Sequence, residues 1–452
     1  MSHVLPNLED IAADLVKMAR TAGADAAEAG VAEGDEFSVD VRLGEVETIK
    51  ESGSRAAGIR LLIGRKQGSS YTSDFTPGGL RTMVARAMDL ARIASEDPHA
   101  GLPDPSELGS YDGPLDLYHD DVAALAAADK IDRAKRCERA ALDFDPRISN
   151  SDGGSFSTRL SRQSFANSLG FTGSYRTSSC SMHATPVAKS GDRMERDYWY
   201  TLSRRAADLL DPETVGRKAA ERVLRRLDPR KAPTQRVPVV FEPRVSRSIA
   251  GHLFELINGE AVYKKSTYLA GKLGERVASE RVTLIDDATM PGLFGSSPFD
   301  DEGVPSRRTV AIEKGVLSSY LLNSYTARKL GMRTTGGASR GVTGNASVGH
   351  GNLYLEAGQS AAADLIRAAG TGLFVTDLVG FGFNAATGDY SRGAGGLWIE
   401  NGELAFPVSE VTIAANFQDM LEGLEMAASD LEFQGSVAAP SLLIREMTIS
   451  GS

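Results

Sequence analysis

Asp228-Pro229-Arg230-Lys231-Ala232-Pro233-Thr234 decides how this chain is divided. Two prolines around a charge cluster stop a helix and start nothing periodic, which is how a boundary between folding units reads. Upstream, residues 212–227 carry a helical apolar stripe that ends at this run. Downstream, a short apolar strand at 237–241 leads into a helix with Pro243 in its first turn and an Asn258-Gly259 stop. The chain is therefore expected to form an α+β protein of two domains, residues 1–230 and 236–452. The first would be an α/β domain with a mixed sheet flanked by helices. The second would be β-rich with two main helices, at 243–258 and around 417–428.

In the first half, Leu8, Ile11, Leu15 and Met18 recur at helical spacing behind Asn7, a candidate N-cap. Four strand segments are expected at 27–33, 37–42, 46–51 and 57–63, separated by Glu33-Gly34-Asp35 and Leu43-Gly44-Glu45 turns and by the 52–56 stretch. Helices are expected at 77–95 and 122–144. Residues 97–120 are irregular and read as a surface crossing or a lid. Residues 147–201 alternate Ser, Thr, Phe and Tyr, so one face of those strands is expected to be wet or pressed on something polar.

Composition excludes several classes. Of 452 residues, 41% are hydrophobic and 47 are glycine, enough for sizeable cores and too apolar for a disordered chain. Sixty acids against 50 bases leave a net charge of −10, which argues against a nucleic-acid binder. Cys137 and Cys180 are the two cysteines, and neither sits in a CxxC spacing, so disulfide scaffolds and thiolate zinc sites are excluded. The longest apolar run, 122–128, falls far short of a bilayer span, and acids near the start oppose a signal peptide. The expected location is the cytoplasm, with no membrane partner.

Chemical motifs are sparse. No GxxxxGK[ST] occurs, and Gly380-Phe381-Gly382 lacks the third glycine of a dinucleotide loop. The histidines, His3, His99, His119, His183, His252 and His350, supply a base to no recognisable nucleophile. His252 falls on the stripe formed by Val245, Ile249 and Leu256, within about 60° at helical spacing. Glu255, three residues on, is in reach of it. The pair reads either as a polar couple in a cleft or as a core histidine bonded to its neighbour. Phe299-Asp300-Asp301-Glu302-Gly303 suits either a hard cation or a solvated turn neutralised by Arg307-Arg308. Asp389, Tyr390, Ser391 and Arg392 form a concentrated polar set on an expected strand connection, between Gly388 and Gly393.

Longer stretches carry more. GEAVYKKS at 259–266, SPFDDEGV at 297–304, LNSYTARKLG at 322–331 and TGDYSRGAGG at 387–396 follow one another in order. WIENGE at 398–403, PVSEVTI at 407–413, AGIR at 57–60 and NSDG at 150–153 complete the set. This text resembles the TldD/TldE (PmbA) family, once described as modulators of DNA gyrase, and its TldE/PmbA branch most. The resemblance implies a zinc metallopeptidase assembly that cuts small or unfolded peptides, built as a heterodimer of TldD-like and TldE-like subunits. The TldD branch carries HExxxH before the lysine-rich turn and a cysteine near the C-terminus. Counted back from Lys264-Lys265, those positions are Gly251, His252 and Leu256 here, and the cysteine region is Phe433-Gln434-Gly435-Ser436. The resemblance therefore implies a chain with no metal ligands and no catalytic residues, with zinc held by a TldD-like partner. Its candidate substrate-channel residues are His252, Glu255, Asp389, Tyr390, Ser391 and Arg392. Two rival readings stay open. One is an active hydrolase using His252, Glu255 and the carboxylates at 300–302. The other is a regulatory protein that binds a toxin, antitoxin or topoisomerase without cutting it.

Overall fold

The computed structural model describes residues 7–342, 344 and 346–451; His3 lies outside the described residues. The first half runs α1 (Leu8–Thr21), β1 (Ala26–Arg42), β2 (Glu45–Ile63), β3 (Lys66–Thr72) and α2 (Pro77–Ile93). It continues with α3 (Asp120–Ala123), α4 (Ala127–Leu142), β4 (Ile148–Asn167), β5 (Thr172–Ser190), β6 (Arg193–Arg196), β7 (Trp199–Ser203) and α5 (Pro212–Leu224). Asn7 caps α1 as its side chain suggests, accepting from the Glu9 amide.

The four short strands expected near the start are two long ones. β1 and β2 pair from Ala26↔Leu62 to Arg42↔Glu45 and turn only at Leu43-Gly44, both with positive φ. Gly34, read as a turn residue, sits mid-strand between Ser54 and Ser161, where a Cβ would come within 3.1 Å of the Leu160 carbonyl oxygen. Its glycine serves close strand approach, not reversal. The helix expected at 122–144 breaks at Ala124-Leu125-Ala126, because Val122 and Leu125 both turn into the core. The alanines' helix propensity yields to that packing.

All the strand pairings described in this sheet, β3-β2-β1-β4-β5-β6 with β7 on β5, are antiparallel, where a mixed sheet was expected. Short hairpin connections explain the β1–β2, β2–β3, β4–β5 and β5–β6 pairs, since parallel pairing would need a crossover. Ala27, Ala29, Val31, Val39 and Val41 share one face of β1 and are buried under α1 and α2 at one end and α4 and α5 at the other. The opposite face is polar. Residues 97–120, the expected crossing, are fastened to the second half: Arg328 donates to the carbonyls of His99, Gly101 and Leu102, and Tyr325 to Asp97.

The second half opens with β8 (Gln235–Phe241) and α6 (Pro243–Ile257). β8 pairs in parallel with the strand Gly372–Val379 and antiparallel with Leu442–Gly451, so the parallel pairing falls here. Leu442–Gly451 also pairs with Glu403–Asn416, which pairs with Asp389–Glu400, which pairs with Gly372–Val379. Five strands thus close a ring. α6 packs Ile249, Leu253, Leu256 and Ile257 into the core that this ring shares with a five-stranded sheet ending at the short strand Val437–Ala438. The second main helix expected at 417–428 is a single short helix, Phe417–Glu422, followed by the strand Leu424–Ala427. Gly423 ends it and Leu424 pairs with Ile444. No described helix is long and apolar enough to cross a membrane.

Candidate functional site

α6 is locked at its start by the first half. Arg222 of α5 and Arg225, which caps its C-terminal end, both bond Glu242, at 2.7 and 3.0 Å, and Arg222 also pairs with Asp197. This clamp fixes the first turn of α6, whose outer side opens on a cavity of about 540 Å³. Arg244, Arg247, Ser248 and Gly251 of α6 form one wall. Tyr198 from the first half, the segment Thr376–Leu378, Arg392 and the segment Gly435–Val437 complete it.

The structure therefore brings Gly251 together with Gly435 and Ser436, three positions the resemblance singles out. Leu256 is elsewhere: it is fully buried in the second-half core. A Cβ at Gly251 would meet nothing within 4 Å. A Gly251→Ala change is therefore expected to raise stability by about 0.5–1 kcal/mol, since the helix interior gains propensity without a clash. Urea denaturation followed by circular dichroism measures it.

His252 turns away from the cavity. Its Nδ1 lies 3.2 Å from Glu255 Oε1, and its ring packs against Phe383 at 4.4 Å, with Tyr390 and Phe417 beyond. No hydrogen bond or ion pair among the described residues joins His252 or Glu255 to residues 300–302. Asp389, Tyr390, Ser391 and Arg392 were expected in a loop but lie within the strand Asp389–Glu400, paired from Asp389↔Asn416 onward. A strand's alternation then divides them. Asp389 and Ser391 point to solvent, Asp389 accepting from the Thr387 hydroxyl at 2.6 Å. Tyr390 is buried, and burial pushes its hydroxyl up to about 12 against the opposing charge of Arg392. Of the six, only Arg392 lines the cavity.

The carboxylates at 300–302 make a turn, closed by Gly303 N–H to the Asp300 carbonyl, but it is not solvated and Arg307-Arg308 do not pair with it. Asp300 accepts from the amides of Glu302, Val304 and Ala338, and Glu302 from the Ser324 amide. These acids organise backbone, which uses the lone pairs a cation would need. Burial, with Glu302's charge, raises the Asp300 pKa. Asp286 is pushed up to about 7 by burial, with the Gly351 amide opposing and Asp287 adding. A folded-state pKa above the unfolded one contributes stability below about pH 4 that is lost as pH rises through about 7. Asp286→Asn is accordingly expected to gain stability relative to the native chain between those limits, measured as the difference in denaturation midpoint across pH.

Sequence reading missed Arg244, Arg247 and their tyrosines. The available signal was two arginines in the opening turns of a helix, where the macrodipole disfavours cations. It also passed over Gly337-Ala338-Ser339-Arg340-Gly341, which has GxSxG spacing. Ser339 lies in the two-residue strand Ala338–Ser339, paired with Ser347–Val348, and not on the strand-to-helix elbow a hydrolase serine needs.

Zinc takes thiolate, imidazole or carboxylate ligands. Gly251 and Gly435 offer none, Leu256 is hydrocarbon, and His252 faces Glu255 and aromatic rings. These residues do not fit the metal. Among the described residues, no group of three or more His, Cys, Asp and Glu stands close enough to hold an ion.

An antiparallel sheet under four main helices, joined to a closed ring of strands with a cleft at the first turns of one helix, defines an α+β protein. A Bacteroides thetaiotaomicron protein proposed as a modulator of DNA gyrase has the same fold, with a TM-score of 0.91, 29% identity, and 98% of this chain and 99% of that one covered. Models of the PmbA/TldA metallopeptidase domain 1, central domain and C-terminal domain match residues 27–91, 120–227 and 234–451. Metalloprotease PmbA of Escherichia coli O157:H7 is 40% identical over 428 residues, covering 94% of this chain and 92% of its own length. A Haemophilus influenzae homologue of metalloprotease TldD is 30% identical over 52% of each chain. The chain belongs to the PmbA/TldD family of metallopeptidases.

Proposed function

We propose that this chain is the non-catalytic, TldE/PmbA-type subunit of a heterodimeric zinc metallopeptidase that degrades or matures small or unfolded peptides. A TldD-like partner holds the zinc, and this chain shapes the channel that leads peptides to it. The observation that carries the reading is the chemistry of the ligand positions: open space at Gly251, a core leucine at 256, and no thiol at 433–436. A metal-bound water would have its pKa lowered to about 7, and these positions offer no ligand to hold such a metal. The longer and closer match to PmbA than to TldD supports the branch. In this reading residues 1–230 and 236–452 are two units, and the complex works in the cytoplasm.

Reconstitution tests it. The purified chain is expected to leave an unfolded peptide intact, and the same chain with a TldD-type subunit is expected to cut it in a chelator-sensitive reaction. Chelator-sensitive cleavage by the chain alone would overturn the reading. A stable complex with a toxin or topoisomerase that is never shortened would favour a regulatory role instead.

A further inference from the structure

The cavity's charge opposes that of the whole protein. Against a net charge of −10, its lining holds three arginines and one acid, Asp377. Asp377 is engaged by Arg226 at 3.3 Å. Arg244 is also engaged, with Nη1 3.2 Å from the Tyr198 carbonyl and 3.5 Å from Asp197, and its guanidinium over the Tyr198 ring. Arg247 and Arg392 remain, and neither has an acidic partner among the described residues.

Both are placed for a ligand. Arg247 Nη1 donates to the Tyr200 hydroxyl at 3.2 Å, and that hydroxyl donates to the Gln434 carbonyl at 2.9 Å. The relay fixes one end of the guanidinium and leaves the rest of its fork free. Arg392, from the strand Asp389–Glu400, lines the same cavity, and its Nε is buried without a hydrogen-bond partner among the described residues. A desolvated N–H of this kind calls for an acceptor. Both guanidinium groups line the same cavity, and the planar fork of an arginine matches a carboxylate. Beside them, Gly435, Ser436 and Val437 form the wall leading into Val437–Ala438, the outermost strand of its sheet. An outermost strand has one backbone edge without a strand partner, which an extended peptide can pair with. The cavity's size is that of a site for a few residues.

We propose that this cavity binds the C-terminal carboxylate of an extended peptide, held by Arg247 and Arg392, with the peptide backbone running along the edge of residues 435–437. The proposal rests on the peptide-handling reading above and gives it a polarity: the metal-free subunit holds the C-terminal end.

Fluorescence anisotropy on the full chain, alone and with its TldD-type subunit, tests this with one labelled peptide made as the free acid and as the C-terminal amide. The acid is expected to bind about tenfold tighter. Arg392→Gln and, separately, Arg247→Gln are expected to erase that ratio, with thermal denaturation confirming that each variant folds. Equal affinity for acid and amide, or an unchanged ratio in both folded variants, overturns the site and leaves the peptide-handling reading standing. Displacement of the acid peptide by inorganic phosphate, together with an acid/amide ratio of one, assigns the arginines to a free oxyanion and overturns the proposal. No binding of either peptide, by the chain or by the complex, overturns both.

Discussion

Glu28→Ala is expected to destabilise the protein by about 3–5 kcal/mol, the cost of breaking a buried ion pair from one side. Glu28 is completely buried on the polar face of β1. Its Oε1 accepts from Arg60 Nε at 2.6 Å and from Arg340 Nη1 at 2.5 Å. Arg60 comes from β2, whereas Arg340 reaches in from the second half and lies over the Phe165 ring. Burial would raise the Glu28 pKa, but the charges of Arg60 and Arg340 outweigh it and hold it below the usual carboxylate range. A lowered folded-state pKa contributes stability above the unfolded value that is lost as pH falls through the folded one. The alanine variant leaves two guanidinium groups facing each other in a dry junction between the halves. Chemical denaturation at pH 7 checks the loss, and a change under about 1 kcal/mol would mean that water enters the junction and relieves the charges.

Leu256→Ala is expected to cost about 2–5 kcal/mol, through lost apolar burial and the cavity left behind. Leu256 is fully buried, with Leu253 and Ile257 beside it in the core under the strand ring. The comparison with Gly251→Ala is informative because the signs are opposite. By the resemblance both positions would match metal ligands of the TldD branch, yet one is a packed core site and the other is open helix surface. Were 256 a vacated ligand position facing a channel, its truncation would cost little. Denaturation midpoints of the two variants, measured side by side, separate the cases.

Local structure was legible where one side chain decides it. Asn7 caps α1, Pro243 starts α6, and Asn258 ends it while its side chain caps the next turn. Strand lengths were not legible. Gly34 looks like a turn residue, but it is paired inside a long ribbon, and only neighbouring strands determine that. The fate of Asp300 and Glu302 was hidden for a similar reason, since the amides that consume their oxygens come partly from Ala338 and Ser324, over twenty residues away. The cavity is assembled from five separated segments, between Tyr198 and Val437, so no short motif encodes it. What the text did carry was the chemistry of individual positions: a glycine and a leucine cannot ligate in any fold.

Zinc titration of the purified chain, followed by metal analysis after gel filtration, tests the central claim most directly. The account predicts no stoichiometric zinc on the lone chain and one tightly held ion in the complex with a TldD-type subunit. One equivalent retained by the lone chain, lost when His252 is replaced by alanine, would contradict it.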